Sequence, residues 1–408
     1  MKLRSLARAG PWIGCILLGL VLLGAGPERR DRDRGPLVLQ ARRLIDVRRG
    51  VVRENMAVRI QGSRITAVAP ASAAARRGAR VIDLGDLTLV PGLIDSHVHL
   101  TLQGDPDSNA IATLRAGFTT VQDLGALKGA NLALRRRIES GAVVGPRVRS
   151  AGSWIGESGG TCDFDGNGIR GAEAFRDRVR ADIASGADVI KVCVDGWPSM
   201  AFLHPDSVQI AEDEMAAVIA EARAGKREVV AHVTSRAGAR LAVRAGVRAL
   251  VHFNFADSAT IAEMIRRDVY VIPTLLSSAA FRDSVWGRAL FEHMRGELAS
   301  GVPVAFGTDA GVFPHGNNAR EFHWMVDLGM TPLEALRSAT LGAATLLGLS
   351  DRIGQIEPGW EADLIAVDGN PLEHVESLTR VVVVVKGGAV VRDDRRRAAG
   401  SAERRKGS

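Results

Sequence analysis

Six side chains suited to metal chemistry stand at or just after the ends of strand-like runs in this 408-residue sequence. His97-Val98-His99 follows the apolar run Leu89–Asp95. Strand side chains alternate faces, so the two imidazoles point the same way. Lys191 lies in Asp188-Val189-Ile190-Lys191-Val192-Cys193 and shares a face with Val189 and Cys193. An unpaired ammonium is costly to bury. Either an acid pairs with it, or desolvation lowers its pKa and the neutral amine takes up carbon dioxide. The resulting carbamate is an anionic oxygen ligand able to bridge two cations. His232 closes Glu228–His232, His252 lies in Ala249–Phe253, and Asp309 follows Pro303–Gly307. Singly, these are ordinary: surface or core histidines, and a turn-capping Asp. All six in one pattern make coincidence the harder explanation, and imidazole with carboxylate or carbamate suits zinc.

The elements that must position them alternate. Eight candidate strands run Leu89–Asp95, Phe118–Gln122, Arg147–Ala151, Asp188–Val194, Glu228–His232, Ala249–Phe253, Val269–Leu275 and Pro303–Gly307, with helical patterns such as Glu212–Ala224 and Ser235–Ala245 between them. A repeating βα pattern predicts an α/β fold, a (β/α)8 TIM-like barrel, whose active sites lie at the C-terminal strand ends. The open doubly wound alternative would show a G-x-G-x-x-G or P-loop after an early strand, and neither occurs. Short β-rich runs at both chain ends (Leu37–Val47, Val51–Gln61, Arg64–Ala69, Arg80–Leu84, then Ala362–Val367 and Arg380–Val391) predict a small β-sandwich domain formed by both termini. The division expected is residues 37–90 and 355–391 for the sandwich and 91–354 for the barrel.

The formal charge of +7 is misleading. Residues 1–36 and 392–408 each carry seven Lys/Arg against three Asp/Glu, which leaves residues 37–391 at −1. The basicity belongs to two flanks, not to a folded nucleic-acid face with stacking aromatics. Lys2, Arg4 and Arg8 precede an apolar run from Trp12 to Gly26, short for a span and suited to a signal h-region. Residues 1–26 thus read as a signal peptide or N-terminal anchor, 27–36 as a linker and 392–408 as a basic disordered tail, with the body exported. Cys15 belongs to the leader; whether Cys162 and Cys193 pair stays open.

With these residues in place, the chain resembles the amidohydrolase superfamily. The matching segments are Val90-Pro91-Gly92-Leu93-Ile94-Asp95-Ser96-His97-Val98-His99, Ala116–Asp123, Gly145-Pro146-Arg147, Gly186–Lys191, His232, His252 and Gly307-Thr308-Asp309, continuing through Gly329–Pro332, Ala339-Thr340 and Gly359–Leu364. Within that superfamily it is similar to the branch of imidazolonepropionase-like proteins and Xaa-Pro dipeptidases (prolidases). The resemblance implies two divalent cations, zinc by ligand type, with His97, His99 and Asp309 on one, His232 and His252 on the other, and N6-carboxylated Lys191 between them. It departs at Gly159-Gly160-Thr161-Cys162, where relatives often read Gly-Gly-His, and at Asp195-Gly196-Trp197-Pro198. Both loops help shape the pocket, so Thr161 and Trp197 are candidate substrate contacts.

The reaction implied is hydrolysis of an amide or peptide bond in a dipeptide or N-acyl amino acid. A water shared by two cations has its pKa lowered from about 15.7 toward 7, and Asp309 moves the proton to the departing amine. His315, on the loop after Asp309, is a further candidate contact, with loop packing as the alternative. Glu321 and His323 are expected to start the next helix in a solvated or structural role, and Arg147 to form a salt bridge. Hydrolysis of a lactone or phosphoester at the same centre, or a non-catalytic binding role on the same barrel, are the competing readings. The partners expected are a small-molecule or dipeptide substrate and no nucleic acid, with a membrane only through an uncleaved anchor and a homo-oligomer left open.

Overall fold

The structure, a computed structural model, describes residues 35–395. The leader at 1–26, nearly all of the 27–36 linker and residues 396–408 lie outside the described residues. The N-terminal strands are β1 (Leu37–Asp46), β2 (Val51–Gln61), β3 (Arg64–Pro70), β4 (Arg80–Asp83) and β5 (Thr88–Pro91). Seven strands of the middle follow: β6 (Leu93–Val98), β7 (Phe118–Asp123), β8 (Arg147–Ser150), β9 (Ile190–Cys193), β10 (Val229–Val233), β11 (Ala249–His252) and β12 (Tyr270–Ile272). The C-terminal strands are β13 (Leu364–Val367), β14 (Val381–Lys386) and β15 (Ala389–Asp393).

Both chain ends join in one eight-stranded sheet, ordered β15-β14-β13-β5-β1-β2-β3 with β4 on β1. Two expected boundaries move. The run Arg380–Val391 is two strands, because Gly387 and Gly388 take φ of 52° and 73° and turn the chain back as a tight hairpin. Its second strand reaches Asp393, so residues 392 and 393 belong to the sheet and not to the tail. The run Leu89–Asp95 divides at Gly92. Residues before it pair with β1 and β13, and those after it pair with β7. A Cβ on Gly92 would lie 2.2 Å from Thr119 Oγ1, so the crossing point has room only for glycine.

The middle is a TIM-like barrel. β6, β7 and β8 run parallel in one sheet, and β9 to β12 run parallel in another. Between them Asp188 N donates to Ser150 O, and Ile155 bridges Val192. The eighth segment is not the regular strand expected over Pro303–Gly307. It hydrogen-bonds alternately to both flanks: Val271 N donates to Pro303 O and Ala305 N to Val271 O on one side, Ser96 N to Phe306 O and Asp309 N to His97 O on the other. Pro303 has no N–H to give, which shortens any ladder there.

Helices follow the strands with ordinary end signals. Asp105, Ser235, Asp257 and Ser284 each accept from a backbone N–H of the first turn, and Gly246 closes Arg236–Ala245 in the left-handed region. Their apolar faces pack on the barrel strands in a core that includes Phe118, Phe175, Phe306 and Phe322, and a separate cluster holds Ile94, Val189, Val230, Val251 and Ile272 of the same strand region. Arg147 on β8 forms the anticipated ion pair, with Asp363 at 2.7 Å, and so ties the barrel to the terminal sheet. Among the described residues no helix is long and apolar enough to cross a membrane.

Candidate metal centre

Five of the six ligand candidates lie on or next to β6, β9, β10 and β11, and Asp309 lies on the eighth segment. Parallel strands in register carry their C-terminal ends to one face, so residues far apart in sequence converge there. His97 Nε2 stands 3.1 Å from His99 Nε2, and Asp309 Oδ1 is 3.4 Å and 3.3 Å from those two atoms. Suitable donor atoms of all three lie within 4.8 Å of one another. The rings of His97 and His252 are 5.6 Å apart, and those of His252 and His232 are 4.6 Å apart. Four imidazoles therefore form a contiguous chain.

The hydrogen bonds of the outer nitrogens decide which atoms face inward. Gly125 O accepts from His99 Nδ1 at 3.0 Å, and Gly196 O accepts from His232 Nε2 at 3.0 Å. A carbonyl can only accept, so those nitrogens carry the protons, leaving lone pairs on His99 Nε2 and His232 Nδ1. His252 Nδ1 pairs with Thr274 Oγ1 at 2.7 Å, which leaves Nε2 free. His97 Nδ1 is buried without a partner.

Burial sets the charge of the site. It lowers the His97 and His252 pKa values well below the ordinary imidazole range and the His232 value to about 4, with Lys191 and neighbouring imidazoles adding to the effect. These three rings are neutral at physiological pH and ready to ligate. Lys191 is buried, its Nζ has no hydrogen-bond partner, and burial lowers it to about 7 against the opposing pull of Asp309. Converging lone pairs beside an orphaned amine fit a cation cluster better than a dry protein core.

Backbone strain is concentrated at the same ends. His252, Phe253, Thr274 and Asp309 take φ values of 71°, 51°, 49° and 64°. Non-glycine residues in that region cost on the order of 1–3 kcal/mol each and cluster at functional sites.

Several positioning residues were not evident from sequence. Asp95, fully buried, accepts from His97 N and Thr308 N on Oδ1 (both 3.1 Å), and from Thr308 Oγ1 (2.7 Å) and Asn318 Nδ2 (2.8 Å) on Oδ2. It thereby fastens the His97 strand to the Asp309 loop, while burial moves its own pKa up to about 7. Asp123 accepts from Leu100 N and Asn131 Nδ2 just beyond His99. Glu321 does begin the helix Glu321–Asp327, but it is buried, not solvated, and accepts from Leu275 N and Leu276 N beside Thr274. His323 stays near the surface, 3.5 Å from Glu376. The one available signal was Asp95 standing two residues before His97; a carboxylate on the buried face of an apolar strand demands donors.

The candidate substrate contacts separate. Both nitrogens of His315 are engaged, by Thr113 Oγ1 at 3.0 Å and His99 O at 3.3 Å, which puts it behind His99. Thr161 is buried and its N–H donates to Gln209 Oε1. Cys162 and Cys193 are joined in a disulfide that links this loop to β9. Trp197 is half exposed and meets the His232 ring edge-on, with centroids 5.6 Å apart.

Comparison with known proteins agrees with this architecture. A family model described as "Amidohydrolase family" matches residues 88–391. Ochratoxinase from Aspergillus niger is 30% identical over 350 residues, covering 71% of this chain and 72% of that protein. Imidazolonepropionase from Deinococcus radiodurans is 28% identical over 364 residues, covering 79% and 88%. A crystal structure of a Xaa-Pro dipeptidase with bound methionine superposes with a TM-score of 0.81 at 30% identity, covering 88% of this chain and all of that one. The family generally uses divalent metals, and the cluster His97–His99–Asp309 offers a candidate site for one. With its barrel, its converging imidazoles and its imidazolonepropionase- and prolidase-like kinship, this chain belongs to the amidohydrolase family and is a hydrolase acting on C–N bonds.

Proposed function

We propose that the chain is an exported binuclear hydrolase of amide or peptide bonds in small substrates such as dipeptides or N-acyl amino acids. The observation that carries the reading is Lys191 Nζ, buried without a partner and close enough to His97, His232 and His252 to depress their protonation. As a carbamate it gains a negative charge and two ligand oxygens, which would supply the missing partner for both halves of the centre. His97, His99 and Asp309 would hold one cation, and His232 and His252 the other.

Two divalent cations, zinc by ligand type, would supply Lewis acidity and a lowered water pKa. The chain's own residues do the rest. The Asp309 carboxylate accepts the proton of the attacking water and passes it to the amide nitrogen as the C–N bond breaks. Gly125 O, Gly196 O and Thr274 Oγ1 hold three imidazoles in fixed orientation, so little reorganisation is needed at the moment of reaction. The eight parallel segments are proposed to close as a ring, and the terminal sheet to fold into two facing layers. The separate apolar cluster of Leu39, Leu44, Val58, Ile60, Leu364 and Val383 supports the second point. Export rests on residues 1–26, which lie outside the described residues.

The test is metal-loaded, leaderless protein against dipeptides, N-acyl amino acids, lactones and organophosphates. Amide cleavage is expected, and Asp309→Asn should abolish it while circular dichroism stays unchanged. Turnover confined to lactones or organophosphates, or full activity in the Asp309→Asn variant, would reject the reading.

A further inference from the structure

The segment after β9, residues 194–211, contains no lysine or arginine. Of its two acids, Asp195 is buried and bonded to Thr234 and Ser235, while Asp206 pairs with Arg236. Beside exposed His204, Asp206 and Ser207, it presents three large apolar side chains outward at helical spacing: Trp197 is 50% exposed, Met200 52% and Leu203 66%. Large apolar side chains exposed in one cluster mark a binding surface more often than an accident of packing.

This surface is continuous with the metal centre. Trp197 rests on His232, and one turn on Phe202 meets Phe255, three residues past His252, with ring centroids 6.2 Å apart. The other half of the centre has an aromatic neighbour too, Trp154, 5.4 Å from His99. Trp154, however, is buried with Phe164 and the disulfide against it, so packing explains it. Packing does not explain Trp197.

Charge points the same way. The neighbouring segments 253–257 and 310–319 also lack lysine and arginine. Arg236, which opens the helix after β10, is paired with Asp206, and Arg282, after β12, with Asp327. A free carboxylate seated on this patch, rather than at the metal ions, would lose water and find no lysine or arginine in these three segments to replace it. Resting on the amide-hydrolase reading above, the geometry points to a neutral amide as substrate, carrying an aromatic or long aliphatic group that seats on Trp197, Met200 and Leu203. These three residues are then specificity determinants, and a zwitterionic dipeptide is the poorer substrate.

The test uses metal-loaded protein with small neutral amides bearing a phenyl group on the acyl or the amine flank, their phenyl-free parent, and phenylalanyl-proline. A phenyl-bearing amide should exceed both others in kcat/KM by about tenfold or more. Trp197→Ala, and separately the Met200→Ala/Leu203→Ala double variant, should lower that value about tenfold, and in the double variant the phenyl-free parent should change less than about twofold. The double variant guards against disturbance of His232 by loss of Trp197. Calorimetric titration with a hydrolysis-resistant phenyl ketone analogue should show the same loss of affinity in both variants. Equal losses on all substrates, a preference for the dipeptide, or unchanged ketone affinity would overturn the inference. If no amide is cleaved, the functional reading fails, and the ketone titration still decides the seat by itself.

Discussion

Replacing Asp95 with Asn tests whether the His97 strand and the Asp309 loop, which together form one half of the centre, are held together by one buried carboxylate. The change keeps shape and replaces one acceptor oxygen by an NH2 donor. All four groups around Asp95 are donors as placed, two of them backbone N–H groups on Oδ1 that cannot rotate. The amide will therefore put its nitrogen in the place of Oδ2, where the Thr308 hydroxyl can turn to accept. Asn318 Nδ2 is then left facing a second NH2. One buried unmatched donor costs about 1–3 kcal/mol, and removing a carboxylate that burial disfavours offsets part of it, so the metal-free protein should lose stability of at most that order. The strand of His97 and the loop of Asp309 are coupled through this residue, and metal affinity should fall roughly 10–100-fold, as for other supporting partners of ligands. Thermal unfolding of the apo protein and competition with a chelator measure the two effects separately. Unchanged stability in the Asp95→Asn variant, with metal affinity within about twofold of the parent, would refute the reasoning; Asp206→Asn, at an exposed ion pair, is the control expected to change neither.

Gly311→Ala should be far more disruptive than a methyl group suggests. Its φ is +121° and the new Cβ would lie 2.6 Å from His99 O, so strain of about 1–3 kcal/mol adds to a displacement of His99; metal content and melting temperature should both drop, and a normal metal load would argue against the contact. Lys191→Met removes the buried amine without opening a cavity, so the fold should persist while elemental analysis finds at most one cation per chain instead of the two proposed for the parent. Glu297 is buried with Oε2 unpartnered, and burial raises its pKa well above the ordinary 4.5, only partly offset by the Ala256 N–H it accepts. Because the folded value is the raised one, its favourable contribution is complete below about pH 4.5 and is lost as pH rises through the folded pKa. Glu297→Gln keeps an acceptor for Ala256 and removes the ionisation, so its unfolding temperature relative to the parent should rise with pH over that window; a difference that does not vary with pH would exclude the linkage.

The sequence by itself determined the candidate ligand types, the βα alternation and the TIM-like barrel, because side-chain alternation and strand-end placement are local properties. Glu212–Ala224 and Val51–Gln61 form with the bounds their patterns predict. It also showed that the two termini share a character, since continuous β-branched runs such as Val381–Val385 must be buried in a sheet. What only the tertiary structure decided is non-local. The division of Leu89–Asp95 at Gly92 depends on Thr119, twenty-seven residues away, and on the sheet that each half finds. Asp95 gains its partners from Thr308 and Asn318, and the inward-facing nitrogens of His99, His232 and His252 follow from two carbonyls and a hydroxyl on other loops. Sequence places a donor atom on a face, but the partner that fixes its proton is supplied by whichever segment the fold brings alongside.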